Sequence, residues 1–205
     1  VPLILINTFL AAAFGLLTAL VISFVIHNKP DPFYVVIGPL AGLVAITASC
    51  NSVNSVLAIL IGIIGSIIAI FVTELLNKYE IDDVVGAVPV HLAAGIWGTL
   101  AVGLFSDLEI LGTGLTRVEQ IKVQLIGIGV IGAFSFIGAL IFLKILNFIY
   151  PLRVSPLHEE LGLNIAEHGA VSVEHDLISI LEKQSQTGDL KVRGPQDPFT
   201  AGGVI

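Results

Sequence analysis

The fold of this chain is decided by one stretch, VVGAVPVHLAAGIWGTLAVGLF, which runs from Val84 to Phe105. About 20 apolar residues suffice for a helix to span a hydrocarbon core about 30 Å thick. His91 is the one ionisable side chain inside the stretch, and a helix that starts at Asp83 would carry it roughly 12 Å, near the membrane centre. An imidazole at that depth predicts a solute pathway, a cavity or a partner. The alternative is a histidine hydrogen-bonded to a neighbouring helix.

The composition is typical of an integral membrane protein. Of the 205 residues, 55% are hydrophobic and 12% are charged, whereas soluble domains carry about 25% charged residues. The net charge of -7 comes mostly from the polar segment after Arg153, and no run of basic residues indicates a nucleic-acid partner. The single Cys50 allows no internal disulfide. Its sequence neighbours are not typical of a metal site, so we expect no metal and no cofactor.

Five apolar stretches predict five membrane spans, and therefore an all-α, polytopic membrane helix bundle. The spans are expected at about residues 3–26, 33–48, 56–76, 84–105 and 123–148. Residues 1–153 would form the transmembrane region, and residues 154–205 a tail or linker. The sequence contains no methionine, even at position 1, so we expect it to be a fragment or a processed product.

The distribution of basic residues predicts the orientation of these spans, because short loops rich in lysine and arginine stay in the cytoplasm. Four basic residues fall on one side of the predicted bundle and two on the other: Lys29, Lys78, Lys144 and Arg153 against Arg117 and Lys122. This bias places the C-terminal tail in the cytoplasm, as part of a multi-pass protein of the cell (inner) membrane.

The residues around His91 favour a pathway over a packed core. Ala87 and Gly95 lie one helical turn before and after it, so small residues leave space on its face. Pro89 removes one backbone donor and is expected to bend the helix. A neutral imidazole donates a hydrogen bond from one nitrogen and accepts one at the other. Such a group suits the transfer of a small polar solute or of a proton.

Four further polar residues are candidates for the site. Asp82 and Asp83 are expected to cap the fourth span, because the free N–H groups at a helix start favour anions. A cytoplasmic docking role is their alternative. Asn7 in the first span and Thr47 at the end of the second are candidate polar residues beside a pore. For both, the alternative is a helix–helix hydrogen bond or a cap.

Four segments resemble the ammonium transporter (Amt/Mep/Rh) family, in matching order and spacing. Asp82–Thr99 resembles the family's tenth helix, Ala41–Cys50 its eighth and Asn7–Ala13 its seventh. Gly162–Gly169 resembles its cytoplasmic tail signature. The resemblance implies an eleven-helix inverted-repeat transporter fold, of which this chain would hold the second half, helices seven to eleven.

The resemblance also implies partners. They are ammonium or ammonia as the solute, the missing N-terminal half of the same subunit, and two further subunits in a homotrimer with one pore in each. Transporters built from inverted repeats hold their solute site between the repeats, so one half cannot form the conduit. We therefore expect residues 1–205 not to fold stably alone.

Residue by residue, the resemblance assigns roles to few positions. His91 matches the second of two pore histidines that hydrogen-bond each other, and Ala87 falls on a pore-lining position. Leu5 stands where a gating phenylalanine is usual, and Leu92 follows His91 where glycine is commoner. The family's pore recruits the cation outside, deprotonates it and passes ammonia.

The resemblance predicts transport of ammonium or ammonia through a hydrophobic pore with a mid-membrane histidine. The segment Glu174–Thr200 resembles the connector that joins some members to cytoplasmic kinase or cyclase domains. The alternative is therefore an ammonium-sensing receptor that drives a fused signalling domain, although the segment is equally compatible with a disordered or regulatory tail. An unrelated channel half or a structural membrane subunit is a third hypothesis. The sequence holds no nucleophile with a base and no phosphate loop, so we expect no enzyme.

Overall fold

The chain folds into six α-helices and one π-helical turn over residues 1–154, the part that this computed structural model describes. In chain order they are α1 (Pro2–His27), α2 (Pro32–Thr47), α3 (Ser55–Lys78), the π-turn (Val88–Ala93), α4 (Ala94–Phe105), α5 (Leu108–Leu111) and α6 (Arg117–Ile149). No strand occurs in residues 1–154, so the all-α expectation is confirmed. The tail segments Gly162–Gly169 and Glu174–Thr200 lie outside the described residues.

Four helical segments of the described part are long and apolar enough to cross a membrane. They are α1, α3, the π-turn continued by α4, and α6, with 26, 24, 18 and 33 residues respectively. α2 is apolar but has 16 residues, which span about 24 Å at 1.5 Å per residue. It also contains Pro39. The division of the chain at residue 153 into a membrane region and a tail stays a prediction.

Side-chain caps set where α2 and α3 begin. The Asp31 carboxylate accepts a hydrogen bond from the backbone N–H of Phe33 at 2.8 Å. The side-chain oxygen of Asn54 accepts one from the N–H of Leu57 at 2.9 Å. Each bond satisfies one of the N–H groups that a helix start leaves without an intrahelical partner. The two helices therefore start one residue before the apolar stretches themselves.

Helices α1, α2 and α3 pack backbone against backbone through glycine. A Cβ atom added to Gly42 would lie 2.3 Å from the carbonyl oxygen of Ala11, and one added to Gly62 would lie 2.4 Å from the same atom. A Cβ on Gly15 would lie 2.6 Å from the carbonyl oxygen of Gly38. Small residues at such contacts are how helices approach closely where no water drives them together.

The sequence suggested that the fourth apolar stretch is helical from Asp83 onward, and the structure differs. Gly86 is buried and adopts a left-handed φ of +69°, and the π-turn begins at Val88. A Cβ on Gly86 would lie 3.0 Å from Cγ2 of Ile37, so both the backbone angle and the space favour glycine here. His91 therefore lies three residues past the helix start, roughly 5 Å along the axis, and the estimate of roughly 12 Å does not apply.

Helix α6 is packed differently from the other helices. Residues 1–140 form one compact unit, and within it the start of α6 holds the helix's buried residue, Gln120. Further along, Phe134 is 79% exposed, and a Cβ on Gly129 would meet nothing within 4 Å. The described residues of the second unit, 141–154, complete α6, and beyond its end the N–H of Leu152 donates to Oδ1 of Asn147 at 3.0 Å.

Candidate functional site

His91 faces an open groove of about 630 Å³ within the first unit. One wall is formed by the π-turn and α4, including Gly95 and Thr99, and the other by the middle of α6, including Gln124 and Ser135. The remaining lining residues are apolar side chains and glycines. The groove is therefore an apolar surface with a few polar groups, which is the usual composition of a small-solute site.

The His91 imidazole is exposed to this groove and makes no hydrogen bond to residues 1–154. The nearby Thr99 hydroxyl donates to the carbonyl oxygen of Gly95 at 2.9 Å, one turn back along α4. Both ring nitrogens are thus available to a solute or to a group outside the described residues. One can donate and the other can accept.

The start of the π-turn is held by a carboxylate. Oδ1 of Asp83 accepts a hydrogen bond from the N–H of Ala87 at 2.9 Å, and Oδ2 accepts one from the N–H of Val88 at 2.8 Å. The exposed Asp82 takes no part in these bonds. Bonds from N–H groups to an ionised acceptor are about twice as strong as neutral ones, so Asp83 fixes the entry into the helix that carries His91.

Two residues that the resemblance assigned to the pore lie away from the groove lining. Ala87 is exposed and precedes the π-turn, and it does not line the groove that holds His91. Leu5 is 54% exposed in the first turns of α1 and does not line it either. Gly95, expected on the face of His91, does line the groove. Pore roles for Ala87 and Leu5 stay predictions.

Asn7 and Thr47 occupy contrasting positions. Asn7 is fully buried, and its Nδ2 donates to the carbonyl oxygens of Cys50 and Val53, both at 2.9 Å. Its Oδ1 accepts from the Ser55 hydroxyl at 3.0 Å, so Asn7 ties α1 to the connection between α2 and α3. Thr47 is exposed, and its hydroxyl donates to the carbonyl oxygen of Leu43 at 2.7 Å within α2.

Trp97 joins α4 to the neighbouring helix α3. Its indole Nε1 donates to the carbonyl oxygen of Ile61 at 3.0 Å. Its ring lies edge-on to that of Phe105, with centroids 6.2 Å apart. Trp97 is half-buried against an apolar cluster, and this bond satisfies its indole N–H there. It therefore fixes the part of α4 that follows His91.

Sequence reasoning missed a polar cluster at the end of the bundle where α1 and α3 finish and α2 begins. The Tyr34 hydroxyl on α2 donates to Oε1 of Glu74 on α3. Nε2 of His27 lies 3.9 Å from Oδ2 of Asp31, and the His27 ring contacts that of Tyr34 at a tilt of 54°, with centroids 5.4 Å apart. The signal that could have found it is Glu74, the one ionisable residue of the third apolar stretch. A carboxylate inside a membrane usually pairs with another polar or charged group.

The chain matches the model of one protein family, the ammonium transporter family, over residues 2–173. A Synechocystis sp. protein named as a candidate ammonium transporter is 45% identical over 205 residues, which cover 100% of this chain and 38% of that protein. Ammonium transporter Amt2 of Archaeoglobus fulgidus is 42% identical over 182 residues, covering 84% of this chain and 39% of that protein.

Solved structures give the same picture. A "Sensor Amt Protein" superposes with a TM-score of 0.74 and 36% identity, over 81% of this chain and 42% of that one. Mep2 of Saccharomyces cerevisiae superposes with a TM-score of 0.68 and 27% identity, over 75% of this chain and 37% of that one. The likeness confirms the helical transporter fold expected from the sequence. The chain spans about two fifths of the length of these relatives.

Proposed function

Because the chain belongs to the ammonium transporter family, whose model matches residues 2–173, we propose that the full-length protein conducts ammonium or ammonia across a membrane along the groove that holds His91. The family match supports ammonium or ammonia as the solute, and the position of His91 in the groove supports the site. The groove lining is apolar apart from a few polar side chains, which disfavours passage of a bare cation because burying an unpaired charge is costly.

Passage of neutral ammonia fits this lining better than passage of ammonium. An ammonium ion that gives up its proton to water at the mouth of the groove leaves ammonia, which can accept a hydrogen bond and donate three. The two nitrogens of His91 are without a partner in residues 1–154 and match this chemistry, since one donates and the other accepts. His91 would hand the solute along, or relay the proton, without presenting a fixed charge.

The rest of the same subunit would complete the conduit. The groove is open along one side, and the apolar side chains of α6 beyond its first turns are exposed. We propose that the remaining helices cover both and that three such subunits form a homotrimer. Residues 1–153 would form the membrane region, and residues 154–205 the cytoplasmic tail, in the cell (inner) membrane. Ala87 and Leu5 would line the pore in the assembled subunit.

An ammonium pulse on proteoliposomes that hold the full-length protein tests the proposal. His91→Ala is expected to lower the uptake of ammonium or methylammonium by about 100-fold, the low end of what a positioned proton-transfer group contributes. His27→Ala is the matched control, because His27 lies at a helix end beside Asp31 and outside the groove. We expect it to keep uptake within about twofold. Unchanged uptake in His91→Ala would rule out the role of His91.

The second candidate is a receptor that senses ammonium. It is supported by the likeness to a "Sensor Amt Protein", which superposes with a TM-score of 0.74. In that case residues 154–205 would connect the membrane region to a signalling domain. Binding of ammonium in calorimetry, with neither current nor flux in the same preparation, would support the sensor over the transporter.

A further inference from the structure

The π-turn changes which face of the fourth helix carries His91. The N–H of Ala94 donates to the carbonyl oxygen of Pro89, five residues back, rather than four as in an α-helix. Such single π-turns are rare and occur often at functional sites. Because one turn here contains an extra residue, the side chains before and after it do not follow α-helical phase.

An uninterrupted α-helix would bury His91. Successive residues of an α-helix are rotated by about 100°, so His91 would point within about 20° of the direction of Gly98, seven residues later. Gly98 faces α2 so closely that a Cβ would lie 2.4 Å from the carbonyl oxygen of Ala45. Pro89, in contrast, would point about 140° away from the buried Ala94.

The structure has the opposite arrangement. Pro89 is fully buried, Val90 is 1% exposed and packs in one cluster with Ala94 and Ile37, and His91 is exposed to the groove. Closing the turn over five residues brings Pro89 onto the same face of the helix as Ala94. His91, near the middle of that turn, is thereby rotated away from α2 and α3.

Three features at or before the start of the turn hold it in this register. Asp83 binds the N–H groups of Ala87 and Val88, and Gly86 supplies the left-handed bend before them. Pro89 has no N–H and needs no carbonyl partner in the first turn. Its ring is buried, so the helix cannot rotate into α-helical phase without exposing it.

We infer that the π-turn Val88–Ala93 is a positioning device, and that Pro89 is the positioning residue that keeps the His91 imidazole aimed into the groove. The expected effect on transport rests on the proposed function. The geometric claim, that the π-turn sets the direction of His91, does not. His91 itself would contact the solute, and Pro89 would act only through it.

Deletion of Ala93 from the full-length protein tests the consequence. With one residue fewer, Pro89 and Ala94 can be joined by an ordinary α-helical bond, and Pro89 and Val90 stay on the buried face. His91 is rotated by roughly 40° and displaced along the axis. A misplacement of about 1 Å can cost about 100-fold in rate, so we expect uptake to fall by about that factor. Ala93→Ser keeps the residue count and is expected to keep uptake within about twofold.

Two outcomes separate this inference from the proposed function. If His91→Ala abolishes uptake while the folded deletion variant keeps at least about half of it, the inference is wrong and the proposed function stands. If His91→Ala leaves uptake unchanged, the proposed role of His91 is wrong, and the register is then decided by labelling alone. Thermal unfolding of the purified deletion variant shows whether it is folded.

Thiol labelling measures the register without any transport assay, and it applies even if the deletion variant does not fold. The variants His91→Cys and Val90→Cys are made in the full-length protein with Cys50 and any other cysteine replaced by serine. Each variant is reacted with a small uncharged methanethiosulfonate, which can enter an apolar pore. The π-turn predicts fast labelling at position 91 and labelling at position 90 slower by about tenfold or more. Slow labelling at both positions is what α-helical phase predicts, and it would overturn the inference.

Discussion

At the scale of single residues, Asp83 and Asp82 are adjacent carboxylates with different structural roles. Asp83 binds two backbone N–H groups, at 2.9 and 2.8 Å, whereas Asp82 binds neither. Sequence reasoning treated them as a pair, because either carboxylate suits the start of a helix. The geometry assigns the stabilisation to one of them.

Asp83→Ala is therefore expected to destabilise the protein by about 1–2 kcal/mol, the usual cost of losing an N-terminal cap. Asp82→Ala removes the same charge without removing those bonds and is expected to change stability by less than about 0.5 kcal/mol. The midpoint of thermal unfolding of the purified full-length protein measures both. Equal shifts for the two variants would contradict the assignment of the cap to Asp83.

His91 could be recognised as a candidate site residue from the sequence, because an ionisable side chain inside an apolar stretch is rare and costly. The partners of Asn7 could not be found, since the carbonyls of Cys50 and Val53 are 43 and 46 residues away. Residue spacing placed Ala87 and Gly95 on one face, but only Gly95 lines the groove with His91. That expectation assumed an α-helix, and the π-turn intervenes.

At the scale of elements, the helices themselves follow from apolar length and from the caps at their starts. The π-turn does not follow from the local sequence, because no local feature requires a hydrogen bond to the residue five positions back. It depends on the burial of Pro89 and Val90 against helices that lie far away in the sequence. Tertiary packing of this kind overrides local pattern, and a sequence window cannot reveal it.

Close contact between α1 and α2 is the element-scale feature most sensitive to substitution. In Gly42→Ala the new Cβ would lie 2.3 Å from the carbonyl oxygen of Ala11, so the helices must move apart. We expect destabilisation of about 1–3 kcal/mol, typical of overpacking. Gly95→Ala on α4 is the control, because its Cβ would lie 3.7 Å from Cγ1 of Val44, an ordinary van der Waals contact. It should be neutral or gain up to about 1 kcal/mol from helix propensity.

Unfolding of the two variants by heat in the same detergent gives the comparison. A Gly42→Ala protein as stable as the parent would show that α1 and α2 can separate at no cost. The backbone contact would then not be a determinant of the bundle.

At the scale of the whole molecule, residues 1–154 leave apolar surface uncovered. The groove beside His91 is open, and α6 exposes large side chains such as Phe134 and Phe148, at 79% and 92%. Relatives are more than twice as long as this chain. In a bundle of membrane-length helices, apolar surface of this extent faces lipid or another part of the protein.

Residues 1–205 expressed alone are therefore expected to aggregate or to be rapidly digested by protease. Co-expression with the remaining part of the full-length protein, as a separate chain, should restore a discrete complex, because by the proposed function the second chain would cover the groove and α6. Size-exclusion chromatography and limited proteolysis measure both states. A monodisperse, protease-resistant preparation of residues 1–205 alone would contradict this expectation.

The bond between Trp97 and the carbonyl oxygen of Ile61 has an optical consequence. Trp97 is the single tryptophan of these 205 residues, and it lies six residues after His91 on the helix that continues the π-turn. Its indole N–H is bound to α3, and the emission of indole is sensitive to the polarity and hydrogen bonding around the ring. The chain therefore carries a natural fluorophore on the helix of the candidate site, whose emission reports whether α4 remains docked on α3.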